Sequence, residues 1–406
     1  MTTRHCDIVV AGGGPAGLAA ALSFAARGYD VTLLERASER VLEQPDFDGR
    51  EIALTHHSIN WLERFGVWAR IPVADRSPLK TARIETGAGG SNPLLFATPD
   101  RSGEGVDALG VLVPNHLIRA ALYQAVCAQA RITVLTERTI TTCRSGKQFA
   151  SVTCDDGTVV TCRLLVVADG RFSAVREMLG IGAIVHDFER SILVCRLRHA
   201  EPHGQVALQW FDEGQTVALL PVADDDVARE GGGHRSSLVL TVEAEEAARL
   251  QRLEPTAFET DVTERLKGRL SAVQLLSQRR IYPLKTVFAH RFQTDRVALV
   301  GDAAVGMHPI TAHGFNLGIK GQDILTRMIV NGSGDPGDPA ALRRFERRFR
   351  QETVPLFAAT NGIASVYTRD IGPVLALRRT GLRIADGLSP FKRFVTGLLM
   401  DRSALR

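Results

Sequence analysis

Residues 6–35 read CDIVVAGGGPAGLAAALSFAARGYDVTLLE, and their order decides the fold. Residues 6–11 are β-rich, residues 12–17 spell G-x-G-x-x-G, an Ala/Leu-rich helical stretch follows, and residues 30–34 form a second apolar run ending at Glu35. Strand, glycine turn, helix, strand and acid, in that order, make a dinucleotide-binding βαβ unit. Gly12 permits the tight turn, Gly14 lets the backbone approach a pyrophosphate, and Gly17 lets the helix pack close on the strand. The helix start offers phosphates unpaired N–H groups and the positive end of a dipole. Glu35 supplies a carboxylate for ribose hydroxyls. Residues 8–26 also form a nearly uncharged run that resembles a membrane span, but Gly12, Gly13, Gly14, Pro15 and Gly17 suit no lipid-exposed helix. With no basic leader or cleavage site, a buried strand, turn and helix without an export signal are expected.

Outside this unit, composition bounds the answer. A chain of 406 residues suggests two or three units at about 150 residues each. With 45% hydrophobic and 23% charged residues it is an ordinary globular protein, which excludes collagen, coiled coil and wholesale disorder. A net charge of +4 from 49 basic and 45 acidic residues is too balanced for a nucleic-acid binder. The surplus is local: residues 341–406 carry 13 Lys and Arg against 5 Asp and Glu. Six cysteines without a C-x-x-C pair read as reduced, buried thiols in a reducing compartment. The histidines show neither H-x-x-x-H nor H-E-x-x-H, and adjacent His56 and His57 would diverge by about 100° on a helix, so no metal site is expected.

Two later strand ends repeat the pattern. Residues 162–167 run into Ala168-Asp169-Gly170, and residues 296–300 into Gly301-Asp302-Ala303-Ala304. His308-Pro309 and Gly314-Phe315-Asn316-Leu317-Gly318 follow the second, at the head of a helix. One strand ending in Asp-Gly is only a turn. Three such turns in this order carry more information.

Together, GGGPAG with LLER, VVADGRFSAVREMLG and RVALVGDAAVGMHPITAHGFNLG resemble the single-component flavoprotein aromatic hydroxylases, the p-hydroxybenzoate hydroxylase group, over essentially the whole chain. Residues 48–54 (DGREIAL), residues 61–68 (WLERFGVW) and Val113-Pro114-Asn115-His116-Leu117 are similar to further landmarks of that group, and the closest likeness is to the hydroxylases of ubiquinone biosynthesis. The resemblance implies an α/β (α+β) fold: a Rossmann-like FAD-binding domain, an inserted β-sheet substrate domain and C-terminal helices. It implies FAD along the βαβ edge, contacted by Gly12, Gly14, Pro15, Ala16, Gly17, Glu35, Arg36 and Arg119. Asp302 would bind the ribityl chain, and Asp169 and Gly170 would lie near the cofactor and shape the groove for the nicotinamide nucleotide. Arg50 would approach the flavin from the other side. Gly314, Phe315 and Asn316 would aim a helix N-terminus at the flavin N1/O2 edge, where negative charge collects on reduction. Pro309 would sit beside the ring, and Arg50, His308, Pro309 and His313 form the implied catalytic set. Three alternatives stay open: Arg50 as an ion-paired surface arginine, His308 as a structural histidine, and His313 as a helix cap. The chain departs from the group's pattern at Val305, His116, Ala312-His313 and Lys320-Gly321.

Ring hydroxylation with O₂ needs a carrier that accepts a hydride and passes electrons on singly, which no side chain does. The implied cycle is reduction by NAD(P)H, capture of O₂ as a flavin C4a-hydroperoxide and oxygen transfer to an electron-rich ring, in a site kept dry. Residues 87–90 follow no long buried strand, so NAD(P)H is expected to bind transiently over the FAD domain. That domain is expected at 1–71, 111–181 and 283–365, the substrate sheet at 72–110 and 182–282, and basic amphipathic helices at 366–406. Residues 229–235 read as a mobile hairpin tip or a disordered stretch. Near the end, Ser389-Pro390 starts a helix with Phe391, Phe394, Val395, Leu398 and Leu399 on one face and Lys392 and Arg393 beside it. That face either packs on its own domain or rests on an anionic membrane and admits a polyprenyl tail. The expected substrates are O₂ and a hydrophobic aromatic, a polyprenylated phenol or quinol. The expected setting is the cytoplasm, with peripheral contact at the inner face of the cytoplasmic membrane and a ubiquinone-biosynthesis assembly as partner. The rivals are a hydroxylase of small soluble aromatics, a flavin reductase or halogenase (whose W-x-W-x-I-P is absent, since Phe211-Asp212 follow Trp210), and a flavin-binding regulator.

Overall fold

The strand Thr3–Ala11 is exposed at its start and fully buried over residues 8–11, and that apolar half lies at the centre of an eight-stranded sheet. It pairs in parallel with Val159–Val167 on one side, Ala11 opposite Val167, and with Val31–Leu34 on the other, Ala11 opposite Leu34. Val297–Leu299 and Ile132–Leu135 continue the parallel order outward. Layers on both faces of the sheet explain why these strands are continuous apolar runs. The computed structural model describes residues 3–86, 94–97, 108–212, 214–224, 233–308, 314–368 and 401.

The helix Pro15–Ala25 is apolar all round and buried from Gly17 onward, because it is sandwiched between the sheet and the helices Asn115–Cys127 and Gly314–Val330. The 30-residue helix Pro339–Thr368 packs on Gly314–Val330 at Gly321, where an added Cβ would lie 2.6 Å from Phe349 Cζ.

A second, nine-stranded sheet is built mainly from Ala183–His199, Val206–Asp212, Gln215–Val222, His234–Glu243 and Arg280–Ala289, with Thr81–Thr86 and Leu94–Ala97 at one edge. All its pairings are antiparallel except Val206–Asp212 with Thr81–Thr86. Alternation along Ala183–His199 separates its faces. Leu193, Cys195 and Leu197 pack with Phe258 of the helix Pro255–Leu266, whereas Ile192 and Val194 cluster with Leu284 and Tyr282 on the opposite face. A small sheet of Glu51–Leu54, Gly110–Pro114 and Ser77–Leu79 stands at the junction. The result is the mixed α/β architecture expected, a Rossmann-like parallel sheet with an inserted antiparallel one. The strand Arg280–Ala289 crosses the expected boundary at 283, and the helix Pro339–Thr368 crosses the one at 365. Residues 87–90, most of 229–235, and 389–399 lie outside the described residues, as do Pro309 and His313. Among the described residues no helix is long and apolar enough to cross a membrane, and no three His, Cys, Asp or Glu side chains are grouped to hold a metal.

Candidate active site

The nucleotide loop forms where three parallel strands end together. Gly12 N–H donates to Leu34 O (2.8 Å), and Ala168 N–H to Ala11 O (2.8 Å), so the turn is pinned on both sides. Gly12 has φ +106, and an added Cβ would fall 2.5 Å from Ala168 O; a Cβ at Gly17 would fall 1.9 Å from Gly12 O. Gly14 differs: a Cβ there meets nothing within 4 Å, and it caps the helix Pro15–Ala25, with Pro15 and Ala16 in the first turn. Glu35 accepts from Gly13 N–H (2.5 Å) and Ala37 N–H (2.8 Å), which sets the loop and leaves carboxylate lone pairs for a ribose. Open space at Gly14, a free helix start and an acid at the second strand's end fit a pyrophosphate-linked dinucleotide such as FAD. Arg36 is exposed immediately after Glu35.

Asp169 and Gly170 lie beside this loop; a Cβ at Gly12 would sit 2.8 Å from Asp169 Cα. Asp169 accepts from Val175 N–H (3.1 Å), and burial raises its carboxyl pKa against hydrogen bonds that lower it. Asp302 lies in the turn Gly301–Ala303, which packs against Ala16, and its carboxylate accepts from Arg171 (3.1 Å). Arg171 also donates to Lys285 O (2.5 Å) and Met307 O (3.2 Å), tying the second sheet to this turn. Below it, buried Arg176 donates to Ala303 O (3.0 Å) and Arg171 O (3.2 Å). Sequence reasoning passed over both arginines, although they stand within the quoted stretch after Asp169-Gly170.

The helix Gly314–Val330 begins at this same junction. Asn316 donates to Ala53 O (2.8 Å) and accepts from Thr55 N–H (3.1 Å). Its side chain therefore holds the helix start against the end of the strand Glu51–Leu54, and any contact to a cofactor falls to the backbone N–H groups of the first turn. A Cβ at Gly314 would meet nothing within 4 Å, and Phe315 is half-buried beside it.

Arg50 stands just before that strand. It is half-exposed, pairs with Asp48 (2.5 Å) and lies 5.4 Å from the Tyr282 ring centroid. Asn115 donates to Asp48 Oδ2 (2.7 Å), and Tyr282 donates to Asp48 O (2.7 Å). Burial works to raise the Asp48 pKa, but the charge and hydrogen bonds of Arg50 with that of Asn115 hold it below the usual range. Arg119 is half-buried on the helix Asn115–Cys127, close enough for its charge to reach Tyr282 and His116. Buried Glu51 accepts from Arg196 Nη2 (2.7 Å) and Nε (3.0 Å), bridging the small sheet to the large one; burial pushes its carboxyl up to about 7 against the pull of Arg196. Arg196 also stacks 4.7 Å from Phe47, whose ring meets His116 edge-on, and burial with the Arg196 charge lowers the His116 pKa. The signal for Glu51 was its place beside Arg50; nothing in sequence tied it to Arg196, 145 residues on.

His308 is 5% exposed, edge-on to Phe188 at 4.9 Å. Burial, with Arg171 nearby, pushes its pKa down to about 4, so the imidazole is neutral at pH 7 and is no proton-donating imidazolium.

A family model described as "FAD binding domain" matches residues 5–351. The chain is 38% identical over 396 residues to ubiquinone hydroxylase UbiM of Neisseria meningitidis, covering 97% of this chain and 84% of that one. It is 30% identical to ubiquinone hydroxylase UbiL of Rhodospirillum rubrum, with 96% and 88% covered. It is 26% identical to the 3-demethoxyubiquinol 3-hydroxylase of Escherichia coli, with 97% and 98% covered. Among solved structures, p-nitrophenol 4-monooxygenase of Pseudomonas putida shares the fold at a TM-score of 0.75 and 16% identity, covering 99% of this chain and 98% of that one. With the nucleotide loop, the acid at the second strand and the Asp302 turn all in place, this chain belongs to the FAD-binding-domain family of flavoprotein monooxygenases.

Proposed function

We propose that the protein hydroxylates the aromatic ring of a polyprenylated phenol or quinol in ubiquinone synthesis, using O₂ and NAD(P)H. The observation that carries this reading is the end-to-end similarity to ubiquinone hydroxylases, 38% identity over 97% of the chain in one case. When bound, FAD supplies the redox chemistry: it takes a hydride from NAD(P)H and lets one oxygen atom of O₂ pass to the ring. The chain supplies the rest. The open cradle at Gly14 and the start of the helix Pro15–Ala25 receive the pyrophosphate, and Glu35 receives a ribose. Asp302, which Arg171 holds in place, would accept from the ribityl hydroxyls. The N-terminus of Gly314–Val330, held by Asn316, would offer its positive end to the ring edge where negative charge gathers. Arg50, Asp48 and Tyr282, which bond to one another, would close the opposite side. His308, edge-on to Phe188, would serve as a neutral neighbour of the ring.

A test is NADPH oxidation under air by the yellow holoenzyme, with and without a short-chain prenylated phenol, and mass analysis of the product. Substrate-dependent oxidation with one oxygen added to the ring is expected. Turnover of small soluble phenols alone would replace the substrate assignment, and a protein that cannot be loaded with FAD would sink it. Contact with an anionic membrane through residues 389–399 belongs to the same proposal, supported by their apolar and basic patterning. It is checked by sedimentation with anionic against zwitterionic vesicles, retention on neither being the adverse result.

A further inference from the structure

Near its end the chain returns to the helix that starts at Gly314. Asp401, 81 residues beyond Lys320, sets its carboxylate 3.2 Å (Oδ2) and 3.4 Å (Oδ1) from Lys320 Nζ on the helix Gly314–Val330. Its carbonyl accepts from His57 N–H (3.1 Å) in the first turn of the helix His56–Arg64. First-turn N–H groups have no partner inside their own helix. Ser58 N–H meets the Thr55 hydroxyl, and the N–H of His57, a residue only 1% exposed, meets Asp401 O. One late residue thus joins the starts of two helices.

The same two helix starts are joined a second time. Thr55, which caps His56–Arg64, donates its N–H to Asn316 Oδ1 (3.1 Å), and Asn316 lies one turn before Lys320. Thr55, Asn316, Lys320, Asp401 and His57 therefore close a ring of contacts. Lys320-Gly321 is also a place where the chain departs from its group's pattern, and both residues serve the Asp401 clamp. A Cβ at Gly321 would lie 2.6 Å from Phe349 Cζ, and this close approach of the helix Pro339–Thr368 brings Glu352 to 3.0 Å from Lys320 Nζ. Glu352 pairs with Arg348 as well (2.7 Å), which leaves the Lys320 ammonium shared between it and Asp401. The Lys320 and Asp401 side chains are 15% and 19% exposed, unlike the freely solvated surface pairs that contribute little.

We propose that Asp401 and Lys320 are positioning residues for the flavin: seated between Lys320 and His57, Asp401 fixes where the helix Gly314–Val330 starts and so couples the C-terminal end of the chain to the redox centre. The inference rests on the reading that this helix start faces the flavin ring. A start that loosens gives less support to the negative charge of the reduced ring, and the flavin becomes harder to reduce.

Two measurements on the full-length, FAD-loaded enzyme test this, with Asp401→Asn, Lys320→Met and Lys320→Arg compared with the wild type and Asn316→Ala as the control. Hydrogen exchange of the peptide carrying His57 should quicken about tenfold in Asp401→Asn and Lys320→Met, and stay at the wild-type rate in Lys320→Arg. The flavin midpoint potential should fall in the first two variants and be kept in the third. Asp401→Asn is the deciding variant, because loss of a carboxylate charge by itself would raise the potential, whereas a displaced helix start lowers it. Unchanged exchange in Asp401→Asn overturns the proposal, as does a potential that stays or rises there while Asn316→Ala lowers it. A potential unmoved in Asp401→Asn and Asn316→Ala alike removes the reading that the helix start faces the ring, and this inference with it.

Discussion

Gly14 and Gly17 occupy one short loop yet answer to different demands. Gly17→Ala would drive a Cβ to 1.9 Å from Gly12 O, so it should destabilise the apoprotein and prevent FAD loading together. Gly14→Ala meets no protein atom and has a backbone conformation open to any residue, φ −72 and ψ 174, so the apoprotein should melt as the wild type does. Only its FAD affinity should fall, about tenfold or more, because the methyl enters the space a pyrophosphate needs. Melting curves with and without FAD separate the two, and equal loss of apoprotein stability would refute the contrast. Two buried titrating groups set opposite pH dependences. Glu51 has a pKa of about 7 against an ordinary 4.5, so between these values the folded chain holds more protons than the unfolded one. Its stabilising contribution is complete below about 4.5 and is lost as pH rises through 7. His308 has a pKa of about 4 against 6.5, so there the unfolded chain holds more protons. Its contribution is complete above 6.5 and is lost as pH falls toward 4. Denaturant titrations across pH should show the high-pH slope flattened by Glu51→Gln and the low-pH slope flattened by His308→Gln; unchanged slopes would contradict the assignments.

At the scale of elements, one side chain governs the position of a 17-residue helix. Asn316 satisfies Ala53 O and Thr55 N–H, both at the end of a strand with no other partner for them in its ladder. Asn316→Ala leaves both groups unmet in a buried place and should cost about 2–4 kcal/mol, from two unsatisfied polar groups. Because the same contact aims the helix N-terminus, the flavin absorbance spectrum and its reduction rate should change as well. A variant with lowered stability but unaltered flavin spectrum and reduction would show that the helix start does not face the ring. Asn316 was legible as part of a G-x-N-x-G stretch, but its role as a clamp was not. Its partners are more than 260 residues earlier, and no local periodicity connects them.

The whole molecule depends on the fit of the small and large sheets. Gly49, with φ +76, lets Val194 approach so closely that an added Cβ would lie 2.7 Å from Val194 Cγ2. Gly28 shares the left-handed backbone, φ +88, but has open space around it. Gly28→Ala should therefore cost about 1 kcal/mol, the conformational penalty alone. Gly49→Ala should cost distinctly more, about 2–3 kcal/mol, because it also overpacks the contact between sheets. Denaturation midpoints measure the difference, and equal costs would mean that the junction is slack. The Glu51–Arg196 bridge and the Tyr282–Asp48 bond cross the same junction, so product yield per NADPH consumed should fall in Gly49→Ala before FAD is lost.

The nucleotide loop, its strands and the helix behind it were determined by the sequence alone, because each glycine there answers a steric demand from residues near it or from a strand of continuous apolar character. The second sheet was legible in outline, since its strands alternate with period two. The tertiary structure alone decided which charges meet. Arg171 finds Asp302 and Lys285, Glu51 finds Arg196, and Arg50 turns to Asp48 as well as toward Tyr282. His308 ended neutral for the same reason: its charge state depends on burial against Phe188 and on the nearness of Arg171, which are contacts between distant segments. Local sequence encodes backbone shape through short-range sterics, whereas the chemistry of a buried side chain is set by neighbours that only folding brings to it.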